Sequence, residues 1–221
     1  MFEKRNLLKL FIILFFSGRL MAQELNHVLL KYNSNIQRLS QYFKDLTVTQ
    51  KITLDTEGMT FEEVSIIYYK VNKKAKKTLE FKRKKMPEKI PELDFFTGFP
   101  ISEKDYKISI IGKDNIDGEE CFKISLVPRR KDKTLINGFI WVSFNDYVLI
   151  KFESSPLDKP TMVKELHITQ IYSKNPDGIW LPSKRILNSI ANAIIKDIKS
   201  ITTFEYYDYK INSGIKDEIF K

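Results

Sequence analysis

"YKISIIGKDNIDGEECFKISLV", residues 106–127, decides the fold class. Asp117-Gly118 is the two-residue connection that a tight β-hairpin favours, because both positions tolerate a positive φ. After it, Phe122, Ile124 and Leu126 alternate with Cys121, Lys123 and Ser125, so one face of the strand is apolar and the other polar. The stretch predicts two antiparallel strands, Tyr106–Ile116 and Glu119–Val127, half buried against something else.

The same punctuation continues in both directions. Toward the C-terminus, strands are predicted at Leu135–Phe144, Val148–Ser154, Met162–Tyr172, Trp180–Ser189 and Ile195–Ile211. Turn residues separate them at Asn145-Asp146, Pro156 to Pro160 and Asn175 to Gly178. Toward the N-terminus, Val48–Asp55 and Phe61–Val71 flank Glu57-Gly58. Lys77–Lys84 reads as a charged edge strand, where lysines discourage pairing with other chains. Ten strands with no alternating helices exclude a parallel α/β fold and predict a curved antiparallel sheet. One segment, Met86 to Lys104, combines three prolines with Leu93, Phe95, Phe96 and Phe99. A loop of that length inside a compact domain is expected to be functional or to pack through its own side chains.

A helix precedes the strands. From Glu24 to Leu46, apolar residues recur at helical spacing at Leu25, Val28, Leu29, Tyr32, Ile36, Leu39 and Phe43. Ahead of it, Lys4 and Arg5 lead into the apolar run Leu7 to Phe16, and Leu20-Met21-Ala22 ends in a small residue. That order predicts a secretory signal peptide over residues 1–22 and one domain over 23–221. The apolar run is about half the ~20 residues that a membrane-spanning helix needs. Loss of residues 1–22 would remove four cations and one anion, lowering the net charge from +9 to +6. The single cysteine, Cys121, excludes an intramolecular disulfide, and no cysteine adjoins the cleavage site to carry a lipid anchor. The expectation is an exported, periplasmic, monomeric protein.

Catalytic chemistry is sparse. His27 and His167 are the two histidines, with no acidic motif at metal-ligand spacing. No nucleophile elbow, phosphate-binding glycine loop or Cys-x-x-Cys is present. Cys121 reads as a small core residue and His167 as a surface or hydrogen-bonding group. No catalytic residue, metal or cofactor is therefore expected, and the protein is not expected to be an enzyme. The cationic runs Lys73 to Lys77, Lys82 to Lys85 and Arg129 to Lys131 read as a solvated hairpin. Nucleic acid is not expected as a partner of an exported protein. Such a basic rim would instead suit anionic lipid head groups or an acidic partner protein.

One amphipathic helix cannot cover the apolar side of a ten-stranded curved sheet. The remaining face must close on itself, meet a partner or hold an apolar ligand. The chain order sharpens this: a leader, a helix, then "DGEECFKISLVPRR" (117–130), "GFIWVSFNDYVLIKFE" (138–153), "DGIWLPSKRIL" (177–187) and "YDYKINSGIKDEIF" (207–220). In this order the motifs resemble the LolA-like, outer-membrane lipoprotein-sorting protein superfamily, over about Glu24 to Phe220.

The resemblance implies a half-open antiparallel β-barrel of about ten strands, with an N-terminal helix and a loop or short-helix lid over an apolar cavity. It implies a carrier that shelters lipid or lipoprotein acyl chains between a membrane-protein donor and acceptor. On that reading Phe122, Ile124, Leu126, Val148, Ile150, Phe152, Leu166 and Ile168 line the cavity. Leu93, Phe95, Phe96 and Phe99 form the lid, and Trp180 plugs the rim with its indole N–H on water or backbone. The alternative is a non-enzymatic regulatory or scaffold module that binds an envelope protein through the sheet edge or the basic hairpin.

Overall fold

The computed structural model describes residues 3–70, 73–82, 98–132, 135–159, 161–192 and 196–220, with side chains from Gln23 onward except at 81–82. Helix α1 spans Glu3–Tyr42. Strands follow as β1 (Asp45–Thr56), β2 (Met59–Lys70), β3 (Lys73–Lys82), β4 (Tyr106–Ile116), β5 (Glu119–Pro128) and β6 (Ile136–Ser143). The series ends with β7 (Leu149–Pro156), β8 (Val163–Lys174), β9 (Trp180–Asn192), β10 (Asp197–Ile211) and a short 3-10 turn at Asp217–Phe220.

All ten strands form one antiparallel sheet in the order β3-β2-β1-β10-β9-β8-β7-β6-β5-β4. The ordering is two meanders, β1–β3 and β4–β10, fused where β1 pairs with β10 from Leu46↔Ile211 to Thr56↔Ser200. β3 and β4 are the two edges, so the curved sheet stays open, as the half-barrel expectation requires. The lysine-bearing β3 lies at an edge as its composition predicts. Both glycine turns form as read: Glu57 and Gly58 take φ of 47° and 79°, and Asp117 and Gly118 take 52° and 90°. Paired positive φ values match the right-handed twist of the flanking strands.

The junction between the helix and the first strand differs from expectation. The helix stops at Tyr42, so Leu46 belongs to β1, where it faces Tyr69 and Ile211 and is buried. Its apolar character fits the helical period by coincidence, because it also begins the strand alternation. At that junction Asn212 donates through Nδ2 to the Tyr42 carbonyl (2.9 Å) and accepts from Lys44 N–H (2.7 Å). Asp45 is buried and accepts from Ser213 N–H (2.8 Å), Ser213 Oγ (3.2 Å) and Gly214 N–H (3.0 Å). The positive φ of Asn212 (52°) and Gly214 (77°) turns these backbone amides toward the carboxylate.

The main apolar cluster lies on the face that α1 packs against, hereafter the inner face. Val28, Leu29, Tyr32 and Ile36 of α1 join Phe122, Ile140, Phe152, Ile168, Phe204 and Ile67 there. A smaller cluster of Cys121, Trp141, Val148 and Ile150 lies apart from it.

Two substitutions probe this framework. Asp45→Ala leaves three donors without their acceptor and is expected to lower unfolding free energy by about 1–3 kcal/mol in urea titration. At Gly138 on β6, a Cβ would collide with the Glu153 carbonyl and lie 2.8 Å from Ser154 Cα. Gly138→Ala is expected to destabilise comparably or more, because backbone rather than a flexible side chain must move; an unchanged midpoint would disprove this close strand crossing.

Candidate binding face of the sheet

Strand alternation builds the inner face. Opposed residues in an antiparallel pair share a face, so Phe122, Ile124 and Leu126 of β5 stand with Val142 and Ile140 of β6. Phe152 of β7 opposes Ile140, and Ile168 of β8 opposes Leu187 of β9. Six of the expected lining residues (Phe122, Ile124, Leu126, Phe152, Leu166 and Ile168) therefore sit together beneath α1 in one buried cluster.

Val148 and Ile150 do not. The β6–β7 ladder pairs Trp141 with Lys151 and Val142 with Leu149, leaving Ile150 as an extra residue. This bulge reverses the alternation: Phe152 and Leu149 face inward, while Val148 and Ile150 join Cys121 and Trp141 in the other cluster. The unbroken apolar run Val148-Leu149-Ile150 carried the only warning, since it does not alternate. On the outer side, Trp141 is bracketed by the Lys123 and Lys151 ammonium groups, 4.8 and 4.6 Å from the ring. Its indole N–H donates to Asp114 (2.9 Å). Cys121 is buried beside it, and burial pushes its thiol up to about 12, which suppresses thiolate chemistry at neutral pH.

Of the expected lid, Leu93, Phe95 and Phe96 lie outside the described residues. Phe99 packs edge-on against Phe152 with centroids 6.0 Å apart. Its carbonyl accepts from the Tyr32 hydroxyl (3.0 Å). Two residues on, the Asn33 amide both accepts from Ile101 N–H (2.9 Å) and donates to its carbonyl (2.7 Å). Gly98 takes φ 88° where a Cβ would lie 2.8 Å from Ile36 Cδ1 and 3.0 Å from the Tyr32 hydroxyl. Residues 98–101 are thus fastened to the helix through side-chain and backbone bonds. Tyr32 is 0% exposed, and burial raises its phenol above the usual range, so it remains a donor.

The inner face is less uniformly apolar than its alternation suggests. Gln170 and Arg185 oppose one another on β8 and β9, in line with Ile168 and Leu187. Arg185 Nε donates to Gln170 Oε1 (2.7 Å), and the guanidinium carbon lies 5.9 and 6.0 Å from the Phe204 and Tyr206 ring centres. Toward β3, buried Glu63 accepts from Ser65 (2.5 Å) and from Lys76 (2.6 Å). Among the described residues, two buried side-chain oxygens have no hydrogen-bond partner: Gln50 Oε1 on β1 and Ser154 Oγ on β7. Sequence reading missed all of these, because polar residues at inward positions break the pattern that locates the face.

The rim around Trp180 is a fixed polar junction. The indole N–H donates to Asp146 Oδ2 (2.9 Å), not to water or backbone as expected, and Lys174 also reaches that oxygen (2.9 Å). Asn35 of α1 donates to the Asp146 and Tyr147 carbonyls (2.7 and 3.2 Å), tying the helix to the β6–β7 turn. A cleft of about 140 Å³ remains there, lined by Arg38, Leu39, Val148 and Ile179 among others. Pro182 opposes Tyr172 at a register shift, so it occupies a bulge on a central strand. On the basic hairpin, Lys73 pairs with Asp217 (3.2 Å) and Lys76 with Glu63, so part of that charge is met within the chain. Arg83, Lys84 and Lys85 lie outside the described residues.

An open antiparallel sheet with one helix on its inner face defines the class, and solved structures share the architecture. A DUF1329 family protein from Desulfovibrio piger is 14% identical with a TM-score of 0.51, covering 87% of this chain and 96% of its own. A domain described as an outer membrane lipoprotein-sorting protein, from Vibrio parahaemolyticus, is 12% identical with a TM-score of 0.50, covering 86% and 97%. A LolA superfamily protein from Nitrosomonas europaea is 14% identical with a TM-score of 0.43, covering 85% and 96%. The likeness to lipoprotein-sorting proteins carried by the ordered motifs is therefore present at the level of the fold. A family model described as "Uncharacterized protein" matches residues 100–221, and the chain belongs to that family. No curated protein matches the sequence.

The rim junction has a pH signature. The hydrogen bond from Trp180, then that from Lys174, hold the Asp146 carboxyl below its ordinary value of 3.8. A depressed folded value means the contribution is complete above the unfolded value and is lost as pH falls through the folded one. Asp146 is 37% exposed, which screens the pair. Asp146→Ala is expected to cost at most about 1 kcal/mol at pH 7. In thermal melts that difference should begin to shrink below about pH 4 and vanish only once pH has fallen through the lower folded value.

Proposed function

We propose that the protein is a periplasmic, non-enzymatic carrier that shelters the acyl chains of a lipoprotein or other lipid against the inner face of the sheet. Residues 1–22 would direct export, leaving the domain 23–221. The observation that carries the reading is an open sheet whose apolar face is covered, among the described residues, by a single helix and the short strap fastened to it. Transfer of an acyl chain from water to such a face contributes about 0.8 kcal/mol per CH₂. Tyr32, Ile36 and Phe99 hold part of the same surface, so cargo and cover compete, and competition gives a carrier its means of release.

Six of the sequence-predicted lining residues would contact cargo, with Phe99 as part of the lid. A membrane-protein donor and acceptor would load and unload it. The alternative, a scaffold module docking an acidic partner on the basic hairpin, is weakened by the pairing of Lys73 and Lys76 within the chain.

The test is binding of a fluorescent fatty-acid probe by the purified chain, with native mass spectrometry for co-purified lipid. Saturable binding that Phe152→Glu abolishes and Ile111→Glu, at an exposed position on β4, leaves intact is the expected result. Absence of any amphiphile binding by the folded protein would overturn the reading.

A further inference from the structure

We propose that the polar end of the cargo is an uncharged hydrogen-bond donor, a hydroxyl or an amide N–H, and that Gln50 and Glu63 accept from it on the inner face. The inference rests on the carrier reading and names the head-group chemistry of what is carried. It seats that head on β1 and β2, away from the aromatic and aliphatic floor of β5 to β8.

Gln50 shares the inner face of β1 with Val48 and Ile52, both members of the main apolar cluster. It is 2% exposed, yet its Oε1 has no hydrogen-bond partner. A buried polar atom left unmet costs stability that an apolar side chain at the same position would not. Ser154 Oγ is also unmet, but its opposed neighbours are Gly138 and Ile168, which offer no second polar side chain. Gln50 does have polar company.

Ser65 and Glu63 take the inward positions of β2 opposite Gln50 and Ile52, and both are buried. Ser65 spends its hydroxyl proton on Glu63 Oε1 (2.5 Å), so it meets a ligand with lone pairs only. The Lys76 ammonium reaches that same oxygen (2.6 Å). Both contacts end on Oε1, which leaves Glu63 Oε2 an open acceptor among the described residues. Turning the Gln50 amide over would present Nε2 instead, but a carboxylate oxygen only accepts, so Glu63 decides which ligand suits the pair. Lys76 balances the Glu63 charge and makes the seat neutral. An anionic head would face the Glu63 carboxylate, and a cationic one would have to compete with Lys76. A neutral donor meets neither obstacle.

The experiment measures displacement of the fluorescent fatty-acid probe by two matched pairs of one chain length. The pairs are oleyl alcohol against oleyl methyl ether, and oleamide against N,N-dimethyloleamide. In each pair the cap removes the donor and adds apolar surface, so burial alone favours the capped member. The expected result is that wild type prefers the uncapped member of at least one pair by about tenfold. Gln50→Leu should lose that preference while binding the capped member within about twofold of wild type. A cap excluded only by its bulk would stay excluded in that variant. Glu63→Gln should keep part of the preference and Ser154→Ala all of it. The pair that discriminates tells hydroxyl from amide N–H. Equal affinity within both pairs, a preference that survives in Gln50→Leu, or one that disappears in Ser154→Ala overturns the head-group inference and leaves the carrier reading standing. Failure of every amphiphile to bind overturns both. Should Gln50→Leu not fold, the wild-type contrast decides together with Glu63→Gln and Ser154→Ala.

Discussion

The seam between β1 and β10 is the constraint on which the rest of the molecule depends. Eight of the nine strand pairings join strands consecutive in the chain, but this one joins residues about 150 apart, and it alone turns two meanders into one sheet. Closing so long a loop costs conformational entropy that only the assembled ladder and core return. The clasp of Asp45 and Asn212 sits at the end of that seam and binds three things at once: the last turn of α1, the start of β1 and the chain leaving β10. It therefore sets the register of the seam and the exit angle of the helix together. A slip of one residue would turn Val48, Ile52 and Phe204 away from the helix, so register and core stand or fall as one.

Across that assembled surface, hydrophobic burial and polar placement answer different questions. The aliphatic and aromatic floor under α1 explains why the sheet folds and why the helix lies where it does. It does not explain an arginine and two glutamines on the same floor, where a polar group costs stability unless it is hydrogen-bonded. Positions that conflict with the local folding pattern are where function is sought in a protein of otherwise consistent design. The outer side shows the opposite arrangement: Lys123, Trp141 and Lys151 form a layered stack whose charges remain near water, and the alternation there is undisturbed except by the bulge.

Most of the fold was legible because its signals are local. Glu57-Gly58 and Asp117-Gly118 specify turns by backbone sterics alone, and the alternation from Phe122 to Leu126 names a face without reference to any other strand. What was hidden depends on partners distant in the chain. The extra residue at Ile150 is defined by β6, and so the inward or outward direction of Val148 could not be read from β7 by itself. The same holds at the rim: the indole N–H of Trp180 was expected on water or backbone, but its acceptor, Asp146, comes from a turn two strands away. Arg185 and Gln50 were missed for a sharper reason. A search for inner-face residues by hydrophobic period discards the polar ones, which are those with chemistry to offer.

The strap at residues 98–101 has a consequence for how the domain could be tuned. It is bonded to α1 through Tyr32 and Asn33, and Gly98 packs directly on Ile36, with no room for a Cβ between them. On the carrier reading proposed above, helix and strap would rise or settle together as one cover, with one equilibrium constant between docked and undocked. For any occupant of the inner face, the apparent affinity is the intrinsic affinity scaled by the undocked fraction. On that same reading, substitutions on the helix that never touch an occupant would shift retention time and loading in step, so dwell could be adjusted by editing the cover alone.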